Sequence, residues 1–323
     1  MSDYNAKEEK IIEMIESLIR NGVDAELIVS RFESKIFDLK KPELYFWFAK
    51  NVKGIDIESN EQTVIDKIDP EWNYKFAKNV KGSDINAHGQ VIINSCNLEW
   101  NYKFAKDIIG ADVKAHGQVI INNGDPEWNY KFARDIIGAD VRSHGQAIIN
   151  SCNPEWNYKF ARDVKGADVR AHEQSVIDKR DPEWNYKFAR YIEVADVRAH
   201  GKAIINRGDL EWNYKFARDI IGADVIAHGR VIINSGDPEL NYIFVRDVKG
   251  ADVRAHGQAI INSGDSEWNY LFAEGVKGAD VKAHEQFVFK YGNQIESELE
   301  SLDNYLDDAI ASSEKDASKS MTK

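Results

Sequence analysis

The chain has 323 residues, 43% of them hydrophobic and 30% charged, with a net charge of −12, eight tryptophans and two cysteines. That is too apolar and aromatic for a disordered chain, Cys96 and Cys152 are too few for a disulfide scaffold, and no apolar run reaches the ~18 residues of a membrane span. The start, MSDYNAKEEK, lacks the basic and apolar regions of a secretory leader, so the expected setting is cytoplasmic.

At the N-terminus, Ile11, Ile12, Ile15, Leu18 and Ile19 recur at helical spacing over residues 7–20, and Asn21-Gly22 stops them. Ile28, Phe32 and Ile36 mark a second amphipathic helix over 25–39. Residues 1–41 therefore read as a diverged helical hairpin that caps the repeats beginning at Pro42.

From Pro42 to about residue 292 a 28-residue unit recurs nine times, most plainly as EWNYKFA at Glu71, Glu99, Glu127, Glu155, Glu183 and Glu211. Positions are counted from the tryptophan (Trp72, Trp100, Trp128, Trp156, Trp184, Trp212, Trp268) as position 0. Every proline falls at −2, usually after Asp or Asn, which is an N-cap followed by proline at the first helical position. A glycine at +10 (Gly82, Gly110, Gly138) reads as the residue that lets the chain leave helix A, so helix A is expected to run about twelve residues. An aspartate at +12 then caps helix B, which ends near +23.

A helical wheel sets the faces. In helix A, Trp72, Phe76 and Val80 share one arc, while Glu71, Lys75 and position +7 form consecutive i,i+4 pairs on the other side. In helix B, Val113, Gly117 and Ile120 point inward. One such hairpin cannot bury its own apolar face, but a stack of them can. The expected architecture is all-α: an α-solenoid of nine 28-residue two-helix repeats with helical N- and C-terminal caps. Ile295, Leu299, Leu302, Leu306 and Ile310 predict a closing helix over 293–310, with a disordered tail over 311–323.

Three polar columns recur. All eight histidines sit at +16, among them His88, His116 and His144. Stacked helices are ~8–10 Å apart, too far for neighbouring imidazoles to share one zinc ion. The reading is structural, a ring between repeats with its N–H on a backbone carbonyl; no metal and no cofactor is expected. Asn73, Asn101, Asn129 and their equivalents fall inside the apolar arc of helix A, so each needs a buried partner, expected to be neighbouring backbone. The tyrosine at +2 is either an inter-repeat contact or an aromatic stripe for a partner. Glu61-Gln62, Glu173-Gln174 and Glu285-Gln286 replace the usual Gly-Gln at intervals of 112 residues, the trace of a duplicated four-repeat block. Cys96 and Cys152 read as free thiols without a special role.

One column resembles a recognition surface. On helix B, Lys114, Arg142, Arg170, Arg198, Arg254 and Lys282 share position +14, and Gln146, Lys202 and Arg230 share +18, with asparagine common at +22. Such a strip suits phosphates, base edges or acidic protein surface, and also suits plain solvent. Breaks in the pattern at Arg180, Tyr191 and Glu193, and at Ile226, Ile243 and Leu271, are candidate contact patches.

The unit DPEWNYKFARDVKGADVRAHGQAIINSG resembles tandem helical-hairpin proteins of bacteria and large bacteriophages, over residues 42–292. The resemblance implies the repeat fold and, for a phage protein in a host cytoplasm, an inhibitor that binds a host or defence protein. The residues themselves show no GxSxG, P-loop or HExxH and no singular acid–base pair, so no catalytic residue is expected. The first reading is a non-enzymatic protein-binding scaffold; nucleic-acid or nucleotide binding through the helix B strip, and self-assembly, are the alternatives. No membrane partner is expected.

Overall fold

The computed structural model describes residues 5–289 and 297–306, which are helical and turn with no strand among them. The chain divides into two compact units at Val176/Ile177, and both are built from the same hairpin.

The first unit begins with the expected cap. Asn5 makes a capping box with Glu8 at the head of Ala6–Arg20, and the Asp24 carboxylate caps Ala25–Asp38. Ile12, Ile15, Ile28 and Ile36 are buried in one cluster with Leu44, Tyr45 and Phe48 of the first repeat. The hairpins then succeed one another as a helix A such as Pro70–Asn79 and a helix B such as Ile85–Asn94, with consecutive A helices and consecutive B helices packed side by side within the unit.

Helix starts agree with the sequence pattern. The Asp69 carboxylate accepts the N–H groups of Glu71 and Trp72, and Pro70 opens the helix. Helix ends do not. Helix A has 10 residues rather than about twelve. The residue at +8 is a buried aliphatic, Val80 or Ile136, and it leaves the helix in extended conformation (φ −101° at Val80) to turn its side chain into the core. The glycine two residues later then takes φ +92° at Gly82 and reverses the chain. Helix B leaves through a left-handed residue: Gly124 at φ +79°, but also Ile68, Cys96, Cys152 and Arg180, which are not glycine. The two cysteines are free and exposed, as expected, yet they hold a conformation that costs a side chain ~1–2 kcal/mol.

The centre of each repeat is the phenylalanine at +4, not the tryptophan. Phe76, Phe104, Phe132 and Phe160 in the first unit, and Phe188, Phe216, Phe244 and Phe272 in the second, are fully buried against isoleucines such as Ile92, Ile120, Ile204 and Ile232. Trp100, Trp128, Trp156, Trp184, Trp212 and Trp268 are half-buried, with only Trp72 deeper. Trp100 lies at the rim between the Tyr74 ring (5.3 Å) and its own lysine, Lys103 (4.3 Å above the ring). An indole fits that edge; the slimmer phenyl reaches the middle.

In the second unit the ninth repeat closes with a helix over 281–289. Residues 297–306 are helical as predicted, but Leu299, Leu302 and Leu306 are about half exposed or more. Ile295, Ile310 and residues 311–323 lie outside the described residues. No helix among the described residues is long and apolar enough to cross a membrane.

Candidate binding face

The buried polar columns interlock. Both hydrogens of the Asn73 amide go to backbone carbonyls, of Val64 in the preceding repeat (3.2 Å) and of Asp69 (2.8 Å). Its Oδ1 therefore accepts, and the donor is His88 Nδ1 at 2.7 Å. The same bond joins Asn101 to His116, Asn129 to His144 and Asn157 to His172 in the first unit, and Asn213 to His228 in the second. The asparagines meet backbone as expected. The histidines do not: their N–H goes to an asparagine side chain rather than to a carbonyl of the chain, because that side chain reaches them inside the same repeat.

This geometry fixes the tautomer. A neutral ring with its proton on Nδ1 carries a bare lone pair on Nε2. Each ring also lies against the core phenylalanine, as His116 does on Phe104 at 4.9 Å. Burial pushes His88, His116, His144, His172, His200, His228 and His256 down to about 4, the nearby N-cap aspartates offsetting little of it.

The tyrosine column joins neighbouring repeats. Tyr74 donates to Asp107, Tyr102 to Asp135 (2.6 Å) and Tyr130 to Asp163 (2.7 Å); in the second unit Tyr186 donates to Asp219 and Tyr214 to Asp247, both at 2.8 Å. The aspartate at +7 thus does not pair with the lysine at +3. It takes that tyrosine and the cation beside it, as in Arg134–Asp135 (2.6 Å), and the Arg134 guanidinium holds the Asp135 carboxyl down at about 2. The lysine at +3 pairs backward, as Lys103 with Glu99 at 2.6 Å. From the second repeat on, the cations of helix A are therefore neutralised by carboxylates of the same or the next helix A.

Helix B differs. Lys114, Arg142 and Arg170 in the first unit, and Arg198, Arg254 and Lys282 in the second, are exposed and have no ion pair among the described residues. Lys202 and Arg230 are exposed one turn further along. Between them the amides tie to each other, Gln118 to Asn122 (2.8 Å), Gln146 to Asn150 (3.0 Å) and Gln258 to Asn262 (3.0 Å), so each pair keeps one carbonyl and one NH2 uncommitted. Grooves run beside these residues. One of about 330 Å³ is lined by Arg142, Gly145, Gln146, Phe160, Asp168 and His172. Its counterpart in the second unit, about 300 Å³, is lined by Arg254, Gly257, Gln258, Phe272, Asp280 and His284.

The irregular residues are less unified. Arg180, Tyr191 and Glu193 are exposed. Val194, in the place of the +10 glycine, takes no left-handed conformation. Ile226 sits in the helix B strip, 42% exposed, whereas Ile243 and Leu271 replace the lysine at +3 of helix A and are half-buried. The three thus belong to two different kinds of helix face. Sequence reading passed over the second isoleucine of the DIIG runs: Ile109, Ile137 and Ile221 are 98%, 96% and 97% exposed at the A–B turn. The signal was present, since other repeats carry lysine there.

No family model matches the chain, and comparison with curated proteins and with solved structures found no match.

Proposed function

We propose that the chain is a protein-binding repeat scaffold whose working surface is the helix B face. One contrast carries this reading: from the second repeat on, helix A cations are paired within the chain, while the helix B cations of both units have no counter-charge among the described residues. Guanidinium groups held one repeat apart beside uncommitted amides suit carboxylates and backbone carbonyls of an acidic polypeptide. The repeated arrangement serves recognition better than catalysis, which needs a single convergence of unlike groups. Where the face covers its partner's own working surface, binding inhibits, the role implied by the phage resemblance.

Nucleic acid is the second reading, since the same unpaired cations would also take phosphates. The net charge of −12 and the sparse cations at +14, at most one per repeat, favour the protein reading.

A photo-crosslinker placed at Gln146, and separately at Glu127 on helix A, tests the assignment in nuclease-treated extract. The expected result is one protein captured from Gln146 and not from Glu127, with capture lost in Arg142→Glu/Arg170→Glu. Capture that disappears with nuclease, or that is equal from both faces, contradicts the reading.

A further inference from the structure

Most repeats carry glycine at +17, and the first repeat shows what a side chain does there. Glu61 Oε2 accepts the backbone N–H of Asp84 at 2.9 Å and lies 3.3 Å from His88 Nε2. One carboxyl group thus accepts from a donor and lies beside a lone pair of the next repeat. In the cap, Glu33 makes the first half of this contact, accepting the Asp56 N–H at 3.2 Å.

Where glycine stands at +17 no side chain of its own fills that place, and at Gly145 and Gly257 a groove lies beside it. A Cβ built on Gly145 would lie 3.1 Å from His172 Nε2, and one on Gly257 would lie 3.1 Å from His284 Nε2, so each groove reaches the ring nitrogen. His172 and His284 are 99% buried. Their Nδ1 is committed to asparagine, and Nε2 has no partner among the described residues. The N–H groups of Asp168 and Asp280 likewise have none, while their carboxylates are turned to Ala171 N (3.1 Å) and Ala283 N (3.2 Å). Each groove thus offers one backbone donor, one lone-pair acceptor and, at its wall, the guanidinium of Arg142 or Arg254.

A carboxylate matches only half of this set: it takes the N–H but sets its own lone pair against Nε2, beside the aspartate charge. A primary amide matches all of it, since its carbonyl accepts the backbone N–H and its NH2 donates to Nε2. We propose that the grooves at Gly145–His172 and Gly257–His284 are pockets for a carboxamide side chain, a glutamine presented by a bound polypeptide, seated where Glu61 seats its carboxyl one repeat further on. This deepens the protein-binding reading, because the guest comes from the partner, but its test needs no partner, so either can fail alone.

The test is a ¹⁵N NMR titration of the imidazole nitrogens in the full chain at pH 7, with N-acetylglutamine methylamide, and with the glutamate and leucine analogues in parallel. Probe is added to roughly 0.1 M, enough to populate a site with a millimolar Kd. The expected result is a saturable shift of His172 and His284 Nε2 with the glutamine probe, a weaker one with glutamate and none with leucine. In Gly145→Gln the pocket is filled from within: His172 Nε2 is shifted before any probe is added and no longer responds, while His284 responds as before. Absence of a glutamine response at both rings, or equal responses to all three probes, overturns the proposal. An equal response to glutamine and glutamate overturns the amide assignment. The wild-type titration decides the matter even if the variant does not fold.

Discussion

Inside the fourth repeat, His144 Nδ1 donates to Asn129 Oδ1 at 2.8 Å, and the same asparagine's NH2 donates to the carbonyls of Ile120 and Asp125. One buried side chain therefore holds helix A, helix B and the preceding repeat together. Replacing it strands the buried His144 N–H and leaves the Ile120 and Asp125 carbonyls only their backbone partners, Gly124 N and Asn129 N. Asn129→Ala is expected to cost about 3 kcal/mol, read as a lowered urea midpoint for the first unit. A change within the error of the measurement would show that the three bonds contribute nothing net.

Stability should fall on mild acidification. The folded histidines sit at about 4, below the ordinary 6.5 of an unfolded chain. The unfolded state therefore takes up protons first as the pH drops below 6.5, and the loss continues until the pH reaches the folded value. At pH 5.5 each such ring costs on the order of 1 kcal/mol. Glu33 and Glu61, raised mainly by burial, act in the opposite sense, since they stabilise the fold as they become protonated; the histidines outnumber them. Thermal melting should be level between pH 8 and pH 7 and should drop clearly by pH 5.5. A flat profile across that range would contradict the buried neutral rings.

The left-handed cysteines offer a gain. Cys96 and Cys152 end helix B at φ +54° and +56°, where Gly124, Gly208 and Gly236 sit without strain. Cys152→Gly should raise stability by about 1 kcal/mol, seen as a higher urea midpoint. A loss of stability would mean that the flexibility added to the unfolded chain outweighs the relief.

Glu61 sets an acceptor against the His88 lone pair unless a proton lies between them. Glu61→Gln supplies the missing N–H in the same place. At pH 8 the variant should be more stable than the parent by about 1 kcal/mol. The difference should shrink as the pH falls and Glu61 takes up its own proton, the direction in which burial already pushes it. Equal or lower stability at pH 8 would show that Nε2 is not the acceptor.

The sequence made the punctuation of this fold readable because each signal is local. Asp69-Pro70 starts a helix, Gly124 ends one, and the spacing of Phe76, Val80 and Ile92 gives the buried faces. What stayed hidden lies across helices. Asn129 and His144 are on different helices, and no wheel drawn on one helix shows that they meet. Asp135 looked like a partner for Lys131 on its own helix, yet Tyr102 of the previous repeat and the adjacent Arg134 hold it instead. Val80 belonged to the apolar arc, but its burial is achieved by leaving the helix early, which shortens helix A. Glu61 looked like a relic of duplication; only its position against Asp84 N and His88 Nε2 shows what its carboxyl does. The cation strip was legible residue by residue. The absence of counter-charges for Arg142 and Arg170 among the described residues was not, because pairing is decided in three dimensions.

The most direct measurement of the central claim is a charge reversal on each face, read as affinity for the partner captured through Gln146. Arg142→Glu/Arg170→Glu alters cations without a counter-charge among the described residues, while Lys131→Glu/Lys159→Glu alters cations already paired with Glu127 and Glu155. The helix B variant should bind at least about tenfold more weakly, equivalent to ~1.4 kcal/mol, with the helix A variant close to the parent. Equal losses, or a greater loss from helix A, would contradict the helix B face as the working surface.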